Sequence, residues 1–216
     1  MRPVSLHEPP YLIAPPSPAK LWALCTTLAS NPAIPHILIL DFTESFRPPI
    51  VAREVIPGTP DPYASPELLL SNFLPHSEIT PSIDIWAFGC TAFKLFGDGD
   101  LFTTLMGMRT GFLADMIFTR YEIERFPERY WKVFWEKLWP RGWFTEDGGL
   151  VENRKKKMQN WDKKIRMIRG DGGLEEEDEA VLRMIMQAAL RFEPGERATA
   201  EQIVAMIPAG WESIGV

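Results

Sequence analysis

The sequence predicts a mainly α fold, a helical bundle with a few short strands near its N-terminus, on three observations. Ile83–Phe96 (IDIWAFGCTAFKLF) is apolar almost all round, with Asp84 and Lys94 its only charges, the pattern of a helix buried on every side. Arg120–Trp139 reads as one amphipathic helix or two, and Leu174–Arg191 as a further helix. The composition, 45% hydrophobic and 24% charged over 216 residues, suffices to bury one sizeable core.

Taken in order, the chain opens on six prolines within residues 1–18, each fixing φ and removing a donor, so an extended leader is expected. Lys20–Ala29 has helical composition and stops at Ser30-Asn31-Pro32, and His36–Phe42 (HILILDF) is the best strand, a short apolar run ending in an acid. Arg47–Pro66 is rich in Pro and Gly and reads as a long loop, a class that is usually functional or disordered. The helix Ile83–Phe96 follows as the centre of the core.

Within Arg120–Trp139, Trp131, Trp135 and Trp139 recur every fourth residue and so share one helix face, with Pro140 as the stop. Such a stripe is ordinarily packing, and no chemistry is assigned to it. Trp143–Gly173 is polar, with Lys155-Lys156-Lys157 and two Asp-Gly-Gly turns, and reads as a surface excursion. Acids from Glu175 to Glu179 suit the N-terminus of the next helix. Thr199–Met206 supplies a last helix, with Thr199 as N-cap and Gln202 placed for a capping box. The domain reading is a leader and short helix over 1–33, a main domain over 34–211 with an insert at about 120–173, and a tail over 212–216.

Bulk properties exclude several functions. A net charge of −6 argues against sequence-independent nucleic-acid binding, which needs clustered Lys and Arg, and favours a protein or basic-peptide partner. Cys25 and Cys90 stand alone in apolar surroundings, neither a disulfide framework nor a metal-ligand spacing, which fits an intracellular compartment, cytoplasm or nucleus. No run approaches the ~20 apolar residues of a membrane span, and no secretory signal pattern opens the chain.

Four short strings occur in one order that resembles the C-terminal lobe of the eukaryotic protein kinase domain. Leu38-Ile39-Leu40-Asp41-Phe42-Thr43 is similar to the strand and Asp-Phe-Gly element, Thr43 standing where that element has glycine. Gly58-Thr59-Pro60-Asp61-Pro62-Tyr63-Ala64-Ser65-Pro66-Glu67 is similar to the substrate-docking loop and Ala-Pro-Glu, one residue longer than the familiar form because Pro62 precedes Tyr63. Asp84-Ile85-Trp86-Ala87-Phe88-Gly89-Cys90 resembles the start of the central kinase helix, and Leu190–Thr199 resembles the segment whose arginine pairs with the Ala-Pro-Glu glutamate. Phe126–Trp131 and Gly142–Gly148 resemble the insert of fungal kinases related to the serine/arginine-protein kinases.

The resemblance implies a kinase-like C-lobe. Asp41 would be its magnesium ligand for Mg-ATP, Thr59 and Tyr63 its substrate-docking residues, and Glu67, Asp84, Trp86 and Arg197 its scaffold. Glu67 is implied to pair with Arg197. Asp84, an acid in an apolar helix, needs hydrogen-bond donors for its oxygens, which the resemblance assigns to backbone amides. Against this, no Gly-x-Gly-x-x-Gly loop occurs, and Lys20, the one lysine before Asp41, lacks a strand context. None of the three histidines, His7, His36 and His76, stands in a His-Arg-Asp-like catalytic loop. The expected function is a truncated or catalytically deficient Ser/Thr-type kinase domain that binds protein. The alternatives are an active kinase for basic peptides whose N-lobe is missing from this sequence, and a helical adaptor with a tryptophan-rich face.

Overall fold

Helix α1, Pro66–Leu69, begins with proline at its first position, where the missing amide costs nothing, and is buried throughout. It belongs to a computed structural model that describes residues 45, 58–75, 79–97, 99–104, 108–138, 142–151, 161–166, 168 and 175–209. The leader, the helix at 20–29, the strand at 36–42 and the lysine run all lie outside the described residues, as does Asp41. Apart from Ala209, the described residues belong to one unit, Asp41–Pro208.

The remaining helices are α2 (Ser82–Phe96), α3 (Arg109–Arg120), α4 (Glu128–Leu138), α5 (Trp161–Arg166), α6 (Glu176–Ala189) and α7 (Ala200–Met206). The described part is therefore mainly helical, as its periodicity predicts. Its one β pairing is an isolated antiparallel bridge between Phe144 and Leu150. Helix α2 packs along α6, and α6 along α7. Ile185, Ala189 and Ile203 form the core there, with Ile85 and Val181 packed against them. Close approach of α2 and α6 depends on Gly89, where a Cβ would lie 2.8 Å from Leu190 Cγ.

Three expectations need correction. Helix α2 is not buried on every side: Ile83, Trp86, Cys90 and Phe93 face the core, but Asp84 and Phe88 are exposed and Leu95 is 75% exposed. The one or two helices expected over Arg120–Trp139 start later than read: Arg120 is the last residue of α3, and α4 runs over Glu128–Leu138. Pro127 explains the break, since it disfavours helix at Phe126 and its carbonyl accepts the Trp131 amide as α4 starts. The excursion at 143–173 also contributes to the core, because Phe144, Leu150, Trp161, Ile165 and Ile168 are all buried.

An aromatic chain runs through the middle. Trp86 stacks between Phe102 and Phe192 at centroid distances of 5.6 and 6.2 Å. Phe126 meets Phe192 edge-on at 5.0 Å, and Phe134 and Phe144 continue the series. Trp131 and Trp135 stack at 6.0 Å on one face of α4, as their spacing predicts; Trp139 lies outside the described residues. The capping box on α7 is present, with the Thr199 amide donating to Gln202 Oε1 at 2.8 Å.

Candidate functional site

Two features qualify, and they share residues. The first is built on Glu67 in α1 and Arg197 in the loop before α7. Arg197 Nη1 donates to Glu67 Oε1 at 2.6 Å and Nη2 to Glu67 Oε2 at 2.8 Å, joining residues 130 apart with both side chains fully buried. This is the two-pronged geometry that a planar guanidinium offers a carboxylate. The remaining donors serve backbone: Nε reaches Arg191 O at 2.8 Å, Nη2 reaches Phe192 O at 3.3 Å, and Nη1 reaches Ser82 O at 3.0 Å. Its guanidinium carbon lies 5.1 Å from the centre of the Trp86 ring. The clamp thus draws α1, the start of α2 and the 191–197 loop onto one cation.

Ahead of α1, residues Asp61–Tyr63 form a 3-10 turn, closed by the Tyr63 amide donating to Pro60 O at 2.9 Å. The Tyr63 hydroxyl donates to Asp100 Oδ1 at 3.3 Å, and Lys94 Nζ donates to the same oxygen at 2.8 Å. Burial first, then Asp100, hold the Tyr63 phenol above its usual range. Thr59 is half-buried in this segment. Of the scaffold residues expected together, Glu67, Trp86 and Arg197 are in contact. Asp84 is not with them: it is exposed in the first turn of α2, and no hydrogen bond reaches its side chain among the described residues. Partial desolvation lifts its carboxyl above the ordinary aspartate range. The need for donors is reduced because the side chain stays in contact with solvent.

The second feature is a groove of about 970 Å³ between the α3–α4 connection and the 146–149 turn. Five acidic residues line it, Glu122, Glu124, Glu128, Glu146 and Asp147, against one arginine, Arg125. Trp131 forms part of its wall and is held by its indole N–H, which donates to Glu146 O at 2.8 Å. Asp147 accepts from Thr145 Oγ1 and from the Gly149 amide, bonds that pull its carboxyl below the usual range, the Thr145 bond most. Gly148 makes this turn with φ of 84°, a left-handed conformation that glycine adopts without strain.

Glu124 belongs to both features. Its carboxylate accepts from Arg120 Nη2 and from the Phe192 amide, each at 2.9 Å, and lies 3.6 Å from Arg191 Nε. Arg120 is fully buried between Trp161 and Phe192, and burial lowers its pKa against the opposing pull of Glu124. The groove acids were not singled out by sequence reasoning. The available signal covered three of the five: two strings set apart from the main pattern hold Glu128, in Phe126–Trp131, and Glu146 and Asp147, in Gly142–Gly148, each string with aromatic residues.

Among the described residues no three His, Cys, Asp or Glu side chains converge as a metal site, and no helix is long and apolar enough to cross a membrane. No model of a known protein family matches the chain, and no curated protein matches it.

Proposed function

We propose that this chain is a protein-kinase-type C-lobe scaffold that acts by binding a protein partner through a basic segment. The observation that carries the reading is the buried two-pronged Glu67–Arg197 pair. It joins the Ser65-Pro66-Glu67 string to the Leu190–Thr199 string in the way their resemblance to kinase motifs implies. Because a buried pair needs close geometry to offset its desolvation, a chance meeting of two unrelated loops is a poor account of it. The groove supports the partner class, since an excess of acidic residues beside the half-buried Trp131 ring is complementary to arginine or lysine side chains.

The test is fluorescence anisotropy with labelled octapeptides of alternating Arg and Ser, against the same length of alternating Glu and Ser. Selective, salt-sensitive binding of the basic peptide is expected. Neutralising Glu122, Glu128 or Glu146 singly should weaken it by about twofold to fivefold, the effect of the ~0.5–1 kcal/mol that an exposed ion pair contributes. Equal affinity for both peptides would sink the proposed partner.

An active kinase with its N-lobe outside this sequence draws the same support from the clamp. A kinase N-lobe encoded beside this sequence would decide for that reading; nucleotide asks the narrower question of whether this chain holds ATP by itself, since the 216 residues contain neither the phosphate-covering loop nor the anchoring lysine that phosphoryl transfer needs. Millimolar ATP with magnesium should leave the melting temperature within about a degree of its starting value. A rise of several degrees would favour the active enzyme.

A further inference from the structure

We propose that Glu124 is a positioning residue that couples the acidic groove to the Gly58–Leu70 segment, so that a cationic occupant drawing on Glu124 loosens that segment. The regulatory half of this statement rests on the proposed function; the positional half rests on geometry alone. Glu124 lines the groove, yet its carboxylate is nearly buried and anchors the neighbouring loop through the Phe192 amide and the Arg120 and Arg191 guanidinium groups. The carbonyls of the same two residues, Arg191 and Phe192, accept from Arg197 Nε and Nη2. One short stretch of backbone is therefore held from its amide side by Glu124, and from its carbonyl side it orients Arg197. Arg197 in turn holds Glu67, and with it α1.

Glu124 and Glu67 have no contact with each other, so independent sites would behave additively. A shared backbone element between them predicts that disturbing one changes the other. A guanidinium entering the groove competes with Arg120 and Arg191 for the Glu124 carboxylate. As that carboxylate turns outward, the Phe192 amide loses its acceptor, and the two carbonyls are freed from the orientation that Arg197 requires.

Hydrogen–deuterium exchange of the full chain tests this, with Glu124→Gln and, separately, with a tetra-arginine peptide added to the unmodified protein. E124Q should accelerate exchange of amides 64–71 at least about tenfold, the change that follows from losing one charge-assisted hydrogen bond of ~1.5 kcal/mol, while amides 90–96 keep their rates. The peptide should protect 121–128 and accelerate 64–71 together. Unchanged rates at 64–71 in E124Q overturn the coupling. Uniform acceleration that includes 90–96 also overturns it, because that is ordinary destabilisation. If E124Q behaves as expected and the peptide leaves 121–128 unprotected, the coupling stands and the basic partner falls.

Discussion

Replacing Arg197 by alanine leaves the Glu67 carboxylate fully buried with no cation beside it, and leaves the carbonyls of Arg191, Phe192 and Ser82 without the donor they now share. Breaking a buried pair from one side typically costs about 3–5 kcal/mol, because the stranded charge keeps its desolvation penalty and loses its compensation. For a chain of this size each kcal/mol shifts the melting temperature by roughly 2–4 °C, so R197A should melt about 6–20 °C lower. Urea unfolding followed by tryptophan fluorescence is a suitable assay, since Trp86 lies under the guanidinium and senses its removal. Arg197→Lys keeps the charge but cannot reproduce the planar fork, and should lose about 1.5–3 kcal/mol, a hydrogen bond to a charged group. Replacing both partners with methionine should restore most of the loss, since a well-packed apolar pair is often as stable as the ion pair it replaces. A cost below ~1 kcal/mol for R197A, the value of an exposed ion pair, would show that solvent reaches Glu67 and would refute the reasoning.

Lys164 is buried, donating to Asp115 Oδ2 at 2.6 Å and Leu101 O at 2.5 Å, and burial depresses its pKa below the usual lysine value. The unfolded chain holds that proton more tightly, so the penalty is present at neutral pH and fades as pH rises through the folded value towards 10.5. Wild type should therefore gain stability over Lys164→Met across that window, and parallel urea midpoints would contradict this. Cys90 is 1% exposed and burial pushes its thiol well above the usual range, so iodoacetamide at mildly alkaline pH should label it only after denaturation; rapid native labelling located by mass spectrometry would count against the packing. A Cβ on Gly111 would meet Thr104 Oγ1 at 1.9 Å and Thr104 Cβ at 2.7 Å. Gly111→Ala should thus destabilise by about 0–2 kcal/mol net, an overpacking cost of about 1–3 kcal/mol less the ~1 kcal/mol that alanine gains in a helix. A rise in melting temperature would show that this contact is looser than it looks.

How much of this was legible depended on whether the signal was local. The α7 capping box is written within four residues, and Thr199 and Gln202 form it as read. The Glu67–Arg197 pair spans most of the chain and was legible only because two motifs imply it jointly. Helix α3 was passed over, and its C-terminal residue was taken as the start of the next helix, because Arg120 looks like a solvated helix end and is in fact fully buried. The surface reading of Trp143–Gly173 failed in the same way: its polar composition hides Trp161 and Ile165, about one turn apart, which lie in the core with Lys164 buried beside them. For α2 the error ran in the opposite direction. Hydrophobicity around a helix measures its capacity for burial, but whether Phe88 and Leu95 are covered depends on a partner surface that the helix's own sequence does not encode.

Among the described residues three cations are buried, Arg120, Lys164 and Arg197, each over an aromatic ring and beside a carboxylate. Arg197 lies over Trp86, Lys164 over Phe102, and Arg120 between Trp161 and Phe192. Each also binds a carboxylate: Glu67, Asp115 and Glu124 respectively. In a helical assembly with a single isolated β bridge among the described residues, buried loop carbonyls have no strand ladder to satisfy them, yet they must be satisfied. A long side chain with several donors can cross an aromatic surface, neutralise a carboxylate and still reach a loop carbonyl, as Arg197 does at residues 191 and 192 and Lys164 at Leu101. Shorter neutral donors lack both the reach and the number of N–H groups. Arg197 and Lys164 are therefore attachment points for loops, the first tying α1 to residues 191–197 and the second holding Leu101, whereas Arg120 spends its bond on Glu124 and leaves Nε and Nη1 without a hydrogen bond among the described residues.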